Sequence, residues 1–511
     1  MDTFTEGLKT NPVNAFLISL VVVFLTPILW TIVHQYVKVL RARGIPPGPA
    51  PLPVLGNLGE ILSSPKRFDE WCLQKAKAYG GMFSFWMGDQ LFVYVSSYEA
   101  VKEVLVTKDK EFASRPLMPE RVALTLGPKS IFMSSYGEYW RQARKLSVLH
   151  LLSNKAVKTN ASVRDEELNT LIGHLKEECK REGGIVEPRE HIIRTNLNTM
   201  MLPLFGIRFP APTEPGFNER REALYASIQE SFRQMGDFDW GTVLPALAPV
   251  VNRDVRKTTA FRDRELELLI EEHRAAKEKA GASFVARDMV DVLLTIPETE
   301  DLTLKNLIYM LLDLLNAAVD TSGVSIEWTL AELTRRPEIR KRLQAELDSV
   351  IGRERPVQEG DIENLPYLRA VIKEHFRYRG VGPFPGPHLN EVETTVQGYR
   401  IPAKTQVMVH TRGLSRDPSV FSRADEFLPD RFLAEDVDIT GKDLRVLPFG
   451  AGRRGCPGIV QGLAVVHLAV ARIVQAFDFE LIDGKDIDME ERNWGLQVSL
   501  RTPLKARFTP R

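Results

Sequence analysis

Apolar residues recur along most of the chain at the three- to four-residue spacing of amphipathic helices. Helices are predicted over residues 164–182, 253–279, 304–333, 337–351, 365–378 and 457–477. Alternating aromatic and aliphatic residues around Gly88 and Asp89 predict a β-hairpin over residues 82–97, and a second hairpin is predicted over residues 392–410 with its turn near 402–404. Because helical patterns dominate, the sequence predicts a mainly α chain with small β-sheets, in the α+β class.

The N-terminal region contains an uncharged apolar run over residues 15–33. Roughly 19 helical residues at about 1.5 Å each nearly cross a hydrocarbon layer of about 30 Å. The positively charged leading region of a secretory signal peptide is missing. Lys38, Arg41 and Arg43 follow the run, so the positive-inside rule places the rest of the chain in the cytosol. We expect one transmembrane anchor over residues 15–33, with residues 1–14 in the lumen; a buried core helix is the alternative.

The region after the anchor is rich in proline, which favours a stiff extended connector. We expect residues 34–53 to be a basic and proline-rich hinge. Residues 54–511 show no internal repeat and no second linker, which predicts a single large domain. The chain has 67 lysines and arginines and 67 aspartates and glutamates. Its net charge is therefore zero and does not indicate a nucleic-acid partner. Three cysteines are too few for a disulfide framework and favour a reducing compartment.

One of these cysteines, Cys456, lies in the sequence LPFGAGRRGCPG, residues 447–458. Pro457 suits the first position of a helix, and an apolar helical run follows it. The amides of Gly458 and Ile459 are then expected to face the sulfur, and the positive end of the helix favours a thiolate over a thiol. Such a sulfur is suited to bind a metal. A buried idle thiol is one alternative, and a nucleophile is another, although no histidine base lies near the loop.

The neighbours of the cysteine suit a flat macrocycle. Gly452 and Gly455 permit backbone conformations closed to other residues and remove side chains where a macrocycle would lie. Arg454 is suited to pair with a carboxylate on that macrocycle. Phe449 is expected to provide an apolar wall that keeps water from the sulfur.

The pattern F-x-x-G-x-R-x-C-x-G in this loop resembles the haem-binding loop of the cytochrome P-450 superfamily of haem-thiolate monooxygenases. The matching residues are Phe449, Gly452, Arg454, Cys456 and Gly458. The resemblance implies the cytochrome P-450 fold, with a long central helix over haem b and the iron ligated by the thiolate of Cys456. It also implies a reaction that inserts one oxygen atom from O2 into a small hydrophobic or aromatic substrate and reduces the other atom to water.

A second match lies in the longest predicted helix, where residues 317–322 read AAVDTS. This stretch is similar to the oxygen-binding segment of the family, although Ala318 stands where glycine is more frequent. Thr321 is expected to turn its hydroxyl toward the carbonyl of Ala317 and loosen the helix. Asp320 and Thr321 are expected to be catalytic and to relay protons to dioxygen. The alternative is an ordinary helix with a solvated acid and a core-facing threonine.

Further matches concern the haem propionates and the core. Trp140 and Arg144, in WRQAR, and His388, in PGPH, resemble propionate-binding positions of the family. Glu374 and Arg377, in EHFR, resemble a buried structural pair that the arginine of a PxRF segment joins, here Arg431. The stretch from Gly380 to Pro387 departs from the usual pattern. If these assignments hold, Arg141, Lys145 and Arg453 form a basic patch suited to an acidic electron donor.

No flavin or nicotinamide motif is visible, so the resemblance implies that electrons come from NADPH through a separate flavin-containing NADPH-cytochrome reductase in the same membrane. The sequence looks most like the microsomal enzymes of plant specialised (secondary) metabolism, which implies an endoplasmic reticulum location, contact with membrane lipid, and phenolic, phenylpropanoid or terpenoid substrates. Two other functions stay open: a haem-thiolate isomerase or dehydratase acting on a peroxide, and a non-catalytic haem-binding protein. An intact Asp320–Thr321 pair argues against the isomerase and is not needed by a haem carrier.

Overall fold

A computed structural model of the chain describes residues 42–511 except 118, 128, 236–247, 298–302 and 495–496, together with residues 26, 30, 33, 37 and 38. Its helices beyond residue 57 are α1 (Leu58–Ser63), α2 (Phe68–Tyr79), α3 (Tyr98–Lys102), α4 (Glu120–Leu126), α5 (Glu138–Ser147), α6 (Asn154–Thr159), α7 (Ala161–Glu178), α8 (Arg189–Phe205), α9 (Glu219–Met235), α10 (Ala248–Val251), α11 (Arg253–Ala280), α12 (Met289–Leu293), α13 (Leu304–Arg335), α14 (Pro337–Val350), α15 (Pro366–Tyr378), α16 (Thr411–Ser415), α17 (Arg431–Ala434) and α18 (Ile459–Ala476). The strands are β1 (Met82–Met87), β2 (Gln90–Val95), β3 (Ile185–Val186), β4 (His388–Leu389), β5 (Thr394–Val396), β6 (Tyr399–Ile401), β7 (Gln406–Val409), β8 (Phe477–Glu480), β9 (Glu491–Trp494), β10 (Gln497–Leu500) and β11 (Ala506–Pro510).

The described residues form two compact units. Unit 1 comprises residues up to 112 and residues 387–409, and unit 2 comprises residues 113–386 and 410–511. Unit 1 contains a four-stranded sheet in the order β1-β2-β7-β4 and the two-stranded sheet of β5 and β6. Unit 2 contains the three-stranded sheet β3-β11-β8 and the hairpin of β9 and β10. The single domain expected over residues 54–511 stays a prediction.

The first predicted hairpin is confirmed in unit 1. Strands β1 and β2 are antiparallel, with Met87 paired to Gln90, so Gly88 and Asp89 form a two-residue turn. Gly88 has a φ of +60° at the first central position of this turn, where glycine is favoured. The local sequence therefore fixes the register of this pair of strands.

The second predicted hairpin is wrong in its turn. Strands β5 and β6 are joined by Gln397 and Gly398, which both have positive φ, as a type I′ turn requires. Strand β7 does not return along β6; it pairs in parallel with β2 and antiparallel with β4. Residues 392–410 therefore contain two separate elements, because β7 finds its parallel partner, β2, far away along the chain.

Unit 2 is mainly helical and contains all six predicted helices, as α7, α11, α13, α14, α15 and α18. Pro337 and Pro366 occupy the first turns of α14 and α15, where a missing N–H costs nothing. The mainly α architecture with small sheets is therefore confirmed.

Helix α13 has 32 residues and passes through both apolar clusters of unit 2. Residues 307–319 pack with apolar residues of α5, α8, α9 and α11. Residues 324–333 pack with those of α14, α15 and α18. The two clusters leave residues 320–323 between them, so the polar residues of the AAVDTS segment lie where the helix passes from one core to the other.

A buried ion pair joins α15 to the segment after α16. Glu374 and Arg377 are fully buried, and the Arg377 guanidinium donates to both carboxylate oxygens of Glu374 at 2.7 and 2.8 Å. Arg431 approaches the same carboxylate at 3.2 Å. Arg377 also donates to the backbone carbonyls of Ser415 and Ala424. Because these partners satisfy both charges, the pair can be buried, as the resemblance implies.

The expected membrane anchor, residues 15–33, lies outside the described residues except for Thr26, Trp30 and Val33, which are helical and exposed. Residues 42–53 contain no helix, as their prolines predict. In the described part of the chain, α13 and α18 are long and apolar enough to span a membrane. Most of their residues are buried inside unit 2, as is typical of core helices.

Candidate functional site

The cysteine loop, residues 447–458, folds back on itself through backbone hydrogen bonds. The amide of Cys456 donates to the carbonyl of Phe449 at 2.8 Å, and the amide of Gly455 donates to the carbonyl of Gly452 at 3.0 Å. Gly452 has a φ of +66°, a left-handed conformation that favours glycine. Gly455 has an ordinary φ of −56°, contrary to the prediction, but an added Cβ would lie 3.2 Å from the Gly452 carbonyl oxygen. Close approach therefore favours glycine at that position.

The sulfur of Cys456 lies just before helix α18. This helix begins at Ile459 with Gly458 as its N-cap, two residues later than predicted. The amide of Gly458 still donates to the sulfur, with an N···S distance of 3.3 Å. A backbone donor thus faces the sulfur, as expected for a ligand that carries negative charge.

The pKa of the Cys456 thiol depends on its burial and on two contacts that act against the effect of burial. Burial raises the pKa of the Cys456 thiol, whereas the Gly458 N–H and the positive charge of Arg144 lower it. Arg144 is held close by a 2.7 Å hydrogen bond from its Nη2 to the carbonyl of Gly455. The donor and the cation both stabilise a thiolate, and a bound metal ion would remove the thiol proton outright.

Trp140 and the two predicted propionate arginines meet beside this loop. The guanidinium carbons of Arg144 and Arg454 lie 5.3 and 4.4 Å from the centroid of the buried Trp140 ring. Arg454 donates from Nε to the carbonyl of Ala113 and from Nη2 to the carbonyl of Ser134, both at 2.5 Å. The structure therefore brings Trp140, Arg144 and Arg454 together with Cys456.

A third guanidinium, which the sequence analysis missed, belongs to Arg115. Its Nε donates to the carbonyl of Phe132 at 3.0 Å, and its Nη1 donates to the carbonyl of Gly386 at 3.2 Å. Burial and the positive charge of Arg454 lower the pKa of Arg115 to about 9. Burial and the positive charge of Arg144 likewise lower the pKa of Arg454 to about 10. We call Arg115, Arg144 and Arg454 the cation cluster.

The acid and alcohol of the AAVDTS segment lie on α13, which packs against α18 in unit 2. The hydroxyl of Thr321 donates to the carbonyl of Ala317 at 2.6 Å, as predicted. Burial raises the pKa of Asp320 to about 6, and the side-chain amide of Gln497 opposes this rise. Asp320 can therefore gain and lose a proton near neutral pH.

Two of the predicted cofactor residues have other contacts in the structure. Phe449 packs its ring against Phe376 with centroids 5.4 Å apart, so it is part of the core beside the cysteine loop. His388 belongs to unit 1, where its Nδ1 donates to the carbonyl of Phe112 at 2.9 Å. Its role at a propionate stays a prediction.

Comparison with known proteins decides the family. A family model described as Cytochrome P450 matches residues 46–509. The chain belongs to the cytochrome P450 family. It is 36% identical to cytochrome P450 98A1 from Sorghum bicolor over 92% of each chain, and 33% identical to melianol synthase CYP71BQ5 from Azadirachta indica over 91% of this chain and 92% of that one. A zebra fish cytochrome P450 solved with progesterone superposes with a TM-score of 0.74 at 26% identity, covering 87% of this chain and all of the other.

The family and fold imply a haem-thiolate iron cofactor and a monooxygenase activity. The residues present fit that cofactor. Cys456 offers a sulfur that has a backbone donor and a cation beside it. In the described part of the chain neither Arg144 nor Arg454 pairs with a carboxylate, although their charges repel one another. The propionate carboxylates of a haem are the anions that would relieve this repulsion.

We predict that replacing Arg454 by leucine weakens haem retention. Charge-assisted hydrogen bonds of about 1.5–3 kcal/mol would be lost, so haem should dissociate about 10- to 100-fold faster. The measurement is the rate of haem transfer from the purified protein to excess apomyoglobin.

The matched control is Arg453→Leu, because Arg453 is the adjacent arginine and is exposed. Thermal unfolding of both apo-variants checks that the loop still folds. Equal haem retention in wild type and Arg454→Leu would contradict the assignment of Arg454 to the haem.

Proposed function

We propose that this cytochrome P450 inserts one oxygen atom into a small hydrophobic or aromatic substrate of plant specialised metabolism, with Cys456 as the thiolate ligand. The observation that supports this proposal most directly is the environment of the Cys456 sulfur. The amide nitrogen of Gly458 lies 3.3 Å from the sulfur, and the positive charge of Arg144 lies beside it. When bound, the haem supplies an iron that activates dioxygen, and its thiolate ligand favours O–O cleavage. The monooxygenase domain comprises residues 54–511.

The remaining site residues hold the cofactor. Arg144 and Arg454 would bind the propionates through their guanidinium groups, and Trp140 orients both arginines through its ring. Gly452 gives the cysteine loop its left-handed turn. Phe449 excludes water from the sulfur.

Asp320 and Thr321 carry the protons that dioxygen cleavage consumes. With a pKa of about 6, Asp320 can be either protonated or charged near neutral pH. Thr321 already holds its hydroxyl on the Ala317 carbonyl, so the hydroxyl has a fixed orientation on α13. An isomerase or a haem carrier would not need this pair.

The substrate class follows from the expected pocket segments and from the relatives. Residues 116–134, 311–318 and 381–386 are rich in Leu, Phe and Pro and poor in charge, whereas residues 205–244 combine Phe, Leu and Pro with ten charged residues among forty. Such a lining favours hydrophobic or aromatic compounds. Plant relatives include one named for the synthesis of melianol, and we therefore propose a phenolic, phenylpropanoid or terpenoid substrate. Incubating microsomes that contain this chain and a reductase with phenolic and terpenoid panels, and looking for NADPH-dependent products, tests this proposal.

Electrons come from NADPH through a membrane-bound NADPH-cytochrome reductase. Arg141 and Arg453 both lower the pKa of the Tyr136 phenol, and the guanidinium carbon of Arg141 lies 5.7 Å from the centroid of the Tyr136 ring, so the two cations converge on one surface. Lys145 is exposed one turn beyond Arg141 on α5. This basic patch is suited to an acidic donor protein. The anchor over residues 15–33 places both proteins on the cytosolic face of the endoplasmic reticulum.

We predict that Thr321→Ala lowers the product formed per NADPH about tenfold and raises hydrogen peroxide release, because proton delivery to dioxygen slows. The control is Thr329→Ala, because the Thr329 hydroxyl bonds the Ser325 carbonyl at 2.7 Å in the same way but lies in the core. NADPH, product and peroxide are measured together in the reconstituted system. An unchanged product-to-NADPH ratio in Thr321→Ala would reject the relay.

We predict that Lys145→Glu slows reduction by the reductase about three- to tenfold at low salt, and that high salt removes the difference. Stopped-flow reduction under carbon monoxide measures this rate. The control is Lys155→Glu, an exposed lysine on α6 outside the patch. Equal slowing by both variants would mean that net charge, rather than this patch, sets the rate.

A further inference from the structure

Asp313 is a buried acid in a largely apolar stretch of α13, where residues 311–319 read LLDLLNAAV. In the part of the chain that the structure describes, no lysine or arginine forms an ion pair with it, and burial raises its pKa to about 6. A buried carboxyl group without a cation is costly unless hydrogen bonds offset that cost. The amide of Phe132 donates to Oδ2 of Asp313 at 2.9 Å, so the acid ties α13 to a loop 181 residues earlier in the chain.

Phe132 lies in a tight turn, residues 130–134, which we call the anchored turn. The amide of Ser134 donates to the carbonyl of Ser130 at 2.8 Å, and the hydroxyl of Ser130 accepts from the amide of Phe132 at 3.1 Å. The Phe132 amide is thus shared between Ser130 and Asp313. The local bonds give the turn its shape, whereas the bond to Asp313 fixes the turn against α13.

Residues of the haem site bind the same turn. The indole of Trp140, on α5, donates to the carbonyl of Ile131 at 3.0 Å, and Nη1 of Arg454 donates to that carbonyl at 3.3 Å. Nε of Arg115 donates to the carbonyl of Phe132 at 3.0 Å. The anchored turn is therefore held by α13, by α5 and by the cation cluster, and its backbone has a defined position.

The ring of Phe132 lies against Gly386, in the stretch that departs from the usual pattern of the family. An added Cβ at Gly386 would lie 2.6 Å from Cζ of the ring, so a larger residue would push the ring away. The guanidinium carbon of Arg115 lies 5.6 Å from the centroid of the ring. The ring is only half-buried, so part of its surface is open to a ligand.

The anchored turn is next to the AAVDTS segment. Asp313 and Ala317 are four residues apart on α13, which places them on one face of the helix about 6 Å apart along its axis. Ala317 is exposed, although Leu315 and Val319 on either side of it are buried. Protein therefore leaves this face of α13 uncovered one turn away from the residue that holds Phe132.

We propose that Asp313 is a positioning residue for the substrate: its buried carboxylate holds the anchored turn on α13 and so fixes the Phe132 ring as an aromatic wall of the pocket beside Ala317. This inference rests on the proposed function, in which residues 116–134 line that pocket. Gly386 supplies the space that the ring occupies. A fixed aromatic wall favours ligands with an aromatic ring of their own, because two rings pack with a specific geometry.

The first test compares two probes that bind haem iron through an imidazole nitrogen and shift the Soret band of the haem-containing protein. 4-Phenylimidazole brings an aromatic ring into the pocket, and imidazole does not. Asp313→Leu removes the acceptor of the Phe132 amide, so it should weaken 4-phenylimidazole binding about five- to tenfold and leave imidazole binding within about twofold. Phe132→Ala should have the same selective effect.

The matched control is Asp313→Asn, which keeps an acceptor oxygen for the Phe132 amide. It should bind 4-phenylimidazole within about twofold of the wild type. Equal weakening by Asp313→Asn and Asp313→Leu would mean that the charge of Asp313, rather than its hydrogen bond to Phe132, affects the ligand. That result would overturn the proposal.

The double variant Asp313→Leu/Phe132→Ala shows whether Asp313 acts through Phe132. Because the ring is then already removed, the double variant should bind 4-phenylimidazole no more weakly than Phe132→Ala alone. Additive losses would overturn the positioning role. Unchanged 4-phenylimidazole binding in Phe132→Ala would reject Phe132 as a pocket wall and the inference with it. A wild type whose Soret band does not shift even with imidazole would instead reject the haem site on which the proposed function depends.

The second test needs no ligand. Hydrogen exchange is followed by mass spectrometry on the haem-containing protein, using peptides that cover the anchored turn. The Phe132 amide should exchange about tenfold faster in Asp313→Leu than in the wild type, because its bond to Oδ2 is lost. Amides of α14 should keep their wild-type rates, which checks that the variant is folded. An unchanged exchange rate in the anchored turn would show that Asp313 does not hold it and would overturn the proposal.

Discussion

The contact on which the active site depends is between the Cys456 sulfur and the backbone at the start of α18. The Gly458 amide faces the sulfur, and the loop closes through the hydrogen bond from the Cys456 amide to Phe449. Burial alone would keep the sulfur protonated, whereas the amide and Arg144 favour the charge that a metal ligand needs. The other residues of the site lie around this sulfur, whose charge depends on the balance between burial and these two contacts.

The cation cluster and helix α13 supply the other residues of the active site. Arg115, Arg144 and Arg454 lie near one another at a cost in repulsion and desolvation, which propionate carboxylates would offset. Helix α13 carries Asp320 and Thr321 at the point where it passes between two apolar cores. Packing therefore fixes the helix on both sides of the reactive segment, and the segment itself is left polar.

The sequence predicted those features that depend on neighbours along the chain. Helices such as α13 and α18 follow from periodicity, and the cysteine loop and the bond from Thr321 to Ala317 follow from local spacing. Arg115 could not be predicted, because its backbone partner Gly386 and the neighbouring cation Arg454 both lie more than two hundred residues away in sequence. No periodic pattern marks such contacts, and only the fold brings them together.

The most direct measurement is the absorption spectrum of the purified, reduced protein under carbon monoxide. A thiolate-ligated haem gives a strongly red-shifted Soret band, which this account predicts for the wild type and for Cys179→Ser. The band should be absent in Cys456→Ser. A wild-type protein without the shifted band, or a Cys456→Ser protein that keeps it, would contradict the assignment of Cys456 as the iron ligand.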